Sequence, residues 1–218
     1  MLPTGSRPWL GAIAALAALV VVALGVLYAG AGGPGVVDVR VAAAVEGAGS
    51  SWRHFALATD FLGEPGGAAM LVVAAAAGAL VLRWPRAAVL VVAGPGLTVV
   101  ATKLLKPLVG RTIHDGHLSY PSGHTAFLTA FALAVALLVT GRLRLGGAAG
   151  PSLVLATATA AGAAMGWAQV ALGAHYPTDA LGGWCTALAV TPAAAWMVDR
   201  TGDRLAGRMS DAPQPERR

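Results

Sequence analysis

Apolar positions in this chain come in long blocks separated by short polar segments, with almost no strand-like alternation. Runs of Ala, Val, Leu and Gly cover residues near 9–31, 65–82, 86–105, 122–140, 151–172 and 180–198, and the charged residues cluster between them. A helix crosses the roughly 30 Å hydrocarbon layer with about 20 mainly apolar residues, so the pattern predicts six transmembrane helices, the second of them short. The apolar run from Trp9 to Ala29 exceeds the roughly 7 to 15 residues of a signal-peptide core, and only Arg7 precedes it. It is expected to be a retained anchor. The fold class predicted is therefore all-α, a polytopic membrane protein built as a six-helix bundle. There is no internal repeat, and the richness in Ala and Gly suits helices packed closely in lipid.

The blocks divide the chain into four parts. Residues 1–31 hold the N-terminus and first span, 32–64 an outer loop, 65–198 a helical core, and 199–218 a charged tail. In the loop, Trp52, Phe55, Leu57 and Phe61 are interspersed with His54, Asp60 and Glu64, a pattern that fits a short interfacial helix or a plain loop. The tail carries Pro213 and Pro215 and lacks apolar periodicity, so it is expected to be solvated.

Composition sharpens this picture. The chain is 56% hydrophobic and only 11% charged, against roughly 25% charged residues in soluble domains, and its mean hydropathy is +0.69. The net charge of +5 is carried by residues too few and too scattered to track a nucleic-acid backbone. The single Cys185 excludes an internal disulfide and any multi-cysteine metal centre; it is expected to be a buried small hydrophobe. Lys and Arg accumulate on the cytoplasmic side of membrane proteins. One side of the six-span plan holds ten: Arg7, Arg83, Arg86, Arg142, Arg144, Arg200, Arg204, Arg208, Arg217 and Arg218. The other holds five, namely Arg40, Arg53, Lys103, Lys106 and Arg111. Both termini are thus expected in the cytoplasm. All five histidines, His54, His114, His117, His124 and His175, fall on the outer side with both lysines, which is where chemistry is expected.

Three stretches there can act on an anion. In Tyr120-Pro121-Ser122-Gly123-His124-Thr125, Ser122 is a natural helix N-cap. The free amides of the first turn would then sit at the positive end of a helix dipole, and Gly123 would let an anion approach the backbone. In Gly173-Ala174-His175-Tyr176-Pro177-Thr178-Asp179, Pro177 suits a first helical turn. The spacing of four places the Asp179 carboxylate beside the His175 imidazole, where it would fix the tautomer and raise basicity. In Lys103-Leu104-Leu105-Lys106-Pro107-Leu108-Val109-Gly110-Arg111, cations flank the loop leading to the capped helix, an arrangement suited to phosphate.

Together these stretches resemble the type 2 phosphatidic acid phosphatase (PAP2) family, the lipid phosphate phosphatases related to vanadium haloperoxidases. The Pro-Ser-Gly-His element matches at Pro121 to His124, and the His-x-x-x-Asp element at His175 and Asp179. The resemblance covers about residues 60 to 200 and implies a six-helix bundle of PAP2 type. It implies a metal-independent phosphatase needing no cofactor, with His175 as nucleophile forming a phosphohistidine, Asp179 orienting it and His124 protonating the leaving group. Lys106, Arg111, Ser122 and Gly123, with Lys103 nearby, would hold the phosphate oxygens. The substrate implied is the phosphate monoester or pyrophosphate of a lipid, such as phosphatidic acid, phosphatidylglycerol phosphate or a polyprenyl phosphate, presented at the outer face by the surrounding membrane lipids. No nucleic-acid partner is expected, and the oligomeric state is open.

Two positions depart from the family pattern. Counted from Lys106, the family's Arg-Pro falls on Ile113-His114, leaving Arg111 as the arginine of that loop. The family's Ser-Arg before the nucleophile is Ala168-Gln169. Losing a charged phosphate donor commonly removes several kcal/mol of transition-state stabilisation, so either activity is reduced or His114, His117 or Lys103 compensates. These departures motivate the alternative of a non-hydrolytic lipid-phosphate binder or transporter on the same scaffold. A metal site at His114-Asp115-Gly116-His117 has suitable ligand types but common loop spacing.

Overall fold

The computed structural model describes residues 7–46 and 52–210. Eight helices form among them: α1 Arg7–Leu27, α2 Val36–Glu46, α3 Arg53–Phe61, α4 Pro65–Val81, α5 Pro85–Val109, α6 Gly123–Arg142, α7 Ala149–Ala171 and α8 Pro177–Ser210. A two-residue antiparallel ladder, β1 Thr112–Ile113 with β2 His117–Leu118, sits between α5 and α6.

Five helices, α1, α5, α6, α7 and α8, are long and apolar enough to cross a membrane. Helix α4 has 17 residues and joins α3 through a 57° bend, which accounts for the sixth, short span expected from the sequence. The protein is thus an integral, multi-pass membrane protein. Helix α6 is central, packing on α5, α7 and α8, while α8 also covers α1. Their shared core contains Leu10, Val21, Leu90, Leu133, Val154, Ala158, Cys185 and Leu188. Apolar side chains such as Leu19, Val26, Met70, Val81 and Leu108 point outward, as expected where hydrocarbon is the solvent.

Close approach of α6 and α8 is what assembles the functional end. A Cβ at Gly183 would collide with the Ser122 carbonyl, so glycine lets α8 lie against the start of α6. There the Ser122 amide donates to the Asp179 carbonyl at 2.9 Å. Tyr120, fully buried, donates its hydroxyl to the Val21 carbonyl of α1 at 2.8 Å; burial raises its pKa well above the ordinary phenol range, keeping it a neutral donor.

Residues 32–64, expected as a loop with a possible short helix, hold α3 where the Trp52–Phe61 pattern lies and a further helix, α2, and α8 runs on through residue 210 where a solvated tail was expected from 199. Within α8 Arg200 stacks on Trp196 one turn away, and Asp203 pairs with Arg86 of α5, a tertiary contact that leaves no trace in apolar periodicity. Pro213, Pro215, Arg217 and Arg218 lie outside the described residues.

Candidate active site

The site forms where the start of α6, the α7–α8 loop and the end of α5 meet. Ser122 caps α6 in extended conformation, its Oγ accepting from the Thr125 amide at 3.4 Å and lying 3.1 Å from the Thr125 hydroxyl. A Cβ on Gly123 would meet only the Thr102 hydroxyl, at an ordinary contact distance of 3.7 Å. Protein packing therefore does not demand glycine here; an anion approaching the first-turn amides would.

His175 stands in the loop just before α8, its side chain 10% exposed, with Nδ1 3.6 Å from Asp179 Oδ2. That distance is within ion-pair range but longer than a hydrogen bond. Burial pushes the His175 pKa below its ordinary value; Asp179 opposes this, and the charges of Lys106 and His124 add to it. Burial thus favours the neutral imidazole, the state a nucleophile needs. With Nδ1 toward the carboxylate, Nε2 is the nitrogen left free to attack.

Behind this pair lies an ionic cluster that sequence reasoning missed. Arg111 follows Gly110, whose φ of 66° ends α5. Its guanidinium is wholly buried and donates to Asp179 Oδ1 and Thr178 Oγ1 at 2.7 Å and to Asp38 Oδ2 at 2.6 Å. The rings of Tyr28 and Tyr176 cover it at 3.9 and 4.5 Å. Asp38 also accepts from the Gly35 amide, the Thr178 amide and the Thr178 hydroxyl. Burial raises the Asp38 pKa, but these bonds and Arg111 outweigh it, so the carboxyl sits below its usual value. Arg111, expected as a phosphate ligand, is thus engaged with two carboxylates and reaches the site through Asp179. The one signal in the sequence was a lone acid, Asp38, in the apolar run Val36-Val37-Asp38-Val39.

His124 occupies the other side. Its Nε2 lies 3.5 Å from Glu64 Oε1 and 3.7 Å from Asp60 Oδ1, and the ring is partly exposed. Asp60 also accepts from Gln169 Nε2 at 2.5 Å. A Cβ on Gly63 would collide with the His124 ring, so the α3–α4 bend needs glycine for the histidine to fit. Asp60, Glu64 and His124 present ligand atoms within 4.8 Å of one another, a donor set that could hold a divalent cation.

Lys106 Nζ donates to the Leu118 carbonyl at 2.7 Å, with the Ser119 carbonyl at 3.5 Å; Lys103 lies one turn earlier on α5 and is exposed. Of the two departures from the family pattern, Ile113 is buried in β1 and Gln169 is buried against Asp60. His114 donates to the Gly173 carbonyl at 2.8 Å and His117 lies 3.2 Å from the His114 carbonyl. With Asp115 they shape the turn between β1 and β2, and they do not converge as the metal site considered from the sequence.

An apolar cavity of about 440 Å3 opens between α2, α7 and α8, lined by Val41, Trp167, Val170, Pro177, Leu181 and Trp184 among others. Its rim at Pro177 lies between His175 and Asp179 in the chain.

No curated protein matches the chain. Among solved structures it is similar to a transmembrane PAP2-type phosphatidylglycerolphosphate phosphatase from Bacillus subtilis, with a TM-score of 0.65 and 19% identity over 88% of this chain and 96% of that one. At that identity the likeness speaks for the fold. The model of the PAP2 superfamily matches residues 65–203, which span α4 to most of α8 and include every candidate catalytic side chain described above, and by that match the chain belongs to the PAP2 superfamily.

Proposed function

We propose that this protein is a lipid phosphate phosphatase that hydrolyses a phosphate monoester or pyrophosphate of a membrane lipid through a phosphohistidine. The observation that carries the reading is the convergence of a buried His175 backed by Asp179 with His124 and the capped start of α6. His175 Nε2 attacks phosphorus, forming the N–P bond as the P–O bond to the lipid breaks, and His124 delivers a proton to the departing oxygen. Water then attacks the phosphohistidine, with His124 taking its proton, and phosphate leaves as His175 regains its lone pair. Lys106 and the amides of Gly123 and His124 stabilise the charge on the equatorial oxygens; Lys103 draws the anion in. Arg111 acts by holding Asp179. The apolar cavity beside Pro177 suits a lipid tail whose headgroup reaches His175, with the site on the outer face and both termini inside.

Neither phosphate stabilisation nor proton transfer in this scheme uses a metal. Asp60, Glu64 and His124 make that testable, since a chelator would abolish turnover if a cation held there took part. The deciding experiment is phosphate release by purified protein from phosphatidic acid, phosphatidylglycerol phosphate and polyprenyl pyrophosphate, with H175A as control. Release that H175A abolishes supports hydrolysis. Saturable binding of these lipids with no release by the wild type would favour a binder or transporter, the reading motivated by Gln169 and Ile113.

A further inference from the structure

The opposite end of the bundle carries a separate feature suited to an anion. Trp84, Pro85, Arg86, Leu138 and Arg142 line a cavity of about 320 Å3 between the start of α5 and the end of α6. The Arg142 guanidinium stacks on the Trp84 ring at 4.9 Å, which holds its charge at the rim. Arg86 lies in the first turn of α5, a turn with no acidic residue and no side-chain cap from Trp84, so the positive end of the helix dipole adds to the two arginines. Arg86 is partly exposed and pairs at 2.7 Å with Asp203, which is itself 65% exposed. Below Arg86, a second cavity of about 370 Å3 continues between α5 and α8, lined by Val89, Leu97, Met197, Val198 and Leu205. Charge at one end and an apolar groove at the other match a lipid in polarity.

We infer that this is a binding site for an anionic phospholipid of the leaflet opposite the candidate active site. The lipid phosphate sits between Arg86 and Arg142 beside Trp84, and one acyl chain lies in the α5–α8 groove. Guanidinium forks match phosphate oxygens bidentately, tryptophan settles at headgroup depth, and basic pockets between membrane helices recruit acidic headgroups. A zwitterionic lipid offers the same phosphate but brings an ammonium group against two arginines, so it binds more weakly. Asp203 competes for Arg86 and restrains the site. None of these residues belongs to the candidate catalytic cluster, and the inference stands whether or not the protein hydrolyses lipids.

The test is native mass spectrometry of the purified full chain in detergent, titrated with dioleoyl phosphatidylglycerol or dioleoyl phosphatidylcholine. The wild type is expected to retain phosphatidylglycerol about tenfold more tightly, and R86Q/R142Q to lose that preference. D203N, which frees Arg86, is expected to tighten phosphatidylglycerol binding roughly threefold. Equal retention of the two lipids by the wild type overturns the proposal, as does an unchanged preference in R86Q/R142Q. Displacement of bound lipid by excess inorganic phosphate would show a free-phosphate site and overturn the assignment to lipid. Should R86Q/R142Q fail to fold, D203N decides alone, and unaltered binding by it counts against the proposal.

Discussion

The two halves of the candidate site are built in opposite ways. Around Asp179, Arg111, Asp38 and Thr178 every side chain is buried and the hydrogen bonds run from 2.6 to 3.1 Å. Around His124 the neighbouring carboxylates stand 3.5 and 3.7 Å away, and the ring and both acids are partly exposed. The difference matches the two tasks proposed for them. A nucleophile gains from a fixed orientation and a dry surrounding that keeps it neutral, whereas a group that exchanges protons with substrate and water needs access and freedom to tighten on binding. The buried half carries a cost: a desolvated ion pair stabilises only while all its members are present.

The widest separation between the halves is expected on removing each histidine. H175A should lower phosphate release by at least about 10^4-fold with an unchanged melting temperature in detergent, and H124A by about 10^2 to 10^4-fold. Equal retention of activity in both variants would remove the catalytic assignment. The next effect is on stability. R111A strands two buried carboxylates and should cost about 3 to 5 kcal/mol, read as a fall in melting temperature, whereas D60N, in the open half, should cost less than about 1 kcal/mol. A D60N protein as unstable as R111A would erase the contrast.

Proton linkage gives a smaller and more pointed test. Because burial lowers the His175 pKa below the ordinary histidine value of 6.5, the limb of the pH–rate profile that reports protonation of the nucleophile should lie on the acid side of that value. Lys106 contributes to the lowering, so K106Q should move the acid limb of the pH–rate profile to higher pH, on top of a loss of rate from the missing phosphate donor. A limb that stays in place would show that Lys106 does not act on His175. The smallest effect expected is from chelation. Excess EDTA should leave turnover unchanged, and its loss would place a cation among Asp60, Glu64 and His124.

Much of the site was legible because its signals are local. Ser122 as a cap depends on three residues, and the meeting of His175 with Asp179 depends on a spacing of four; one helical turn decides both. What escaped were the partners supplied from far along the chain. Asp38 reaches Arg111 across 73 positions and Asp60 reaches Gln169 across 109. Arg111 looked like a phosphate ligand because a cation beside an anion-binding helix has that reading until its acids are known. In a chain whose helices are apolar on nearly every side, hydropathy does not reveal which face turns inward, so no periodicity predicts that α2 or α3 delivers its acid to the site.

Hydropathy and length alone therefore determined that this protein crosses the membrane repeatedly, since an apolar run of about 20 residues has no other stable solvent. Local spacing determined that Ser122 caps α6 and that Asp179 stands beside His175. Only the tertiary structure decided which charges are neutralised, because a buried arginine takes whichever carboxylate the helix packing brings within reach, and that packing is set by close contacts such as Gly183 on Ser122 and Gly63 on His124.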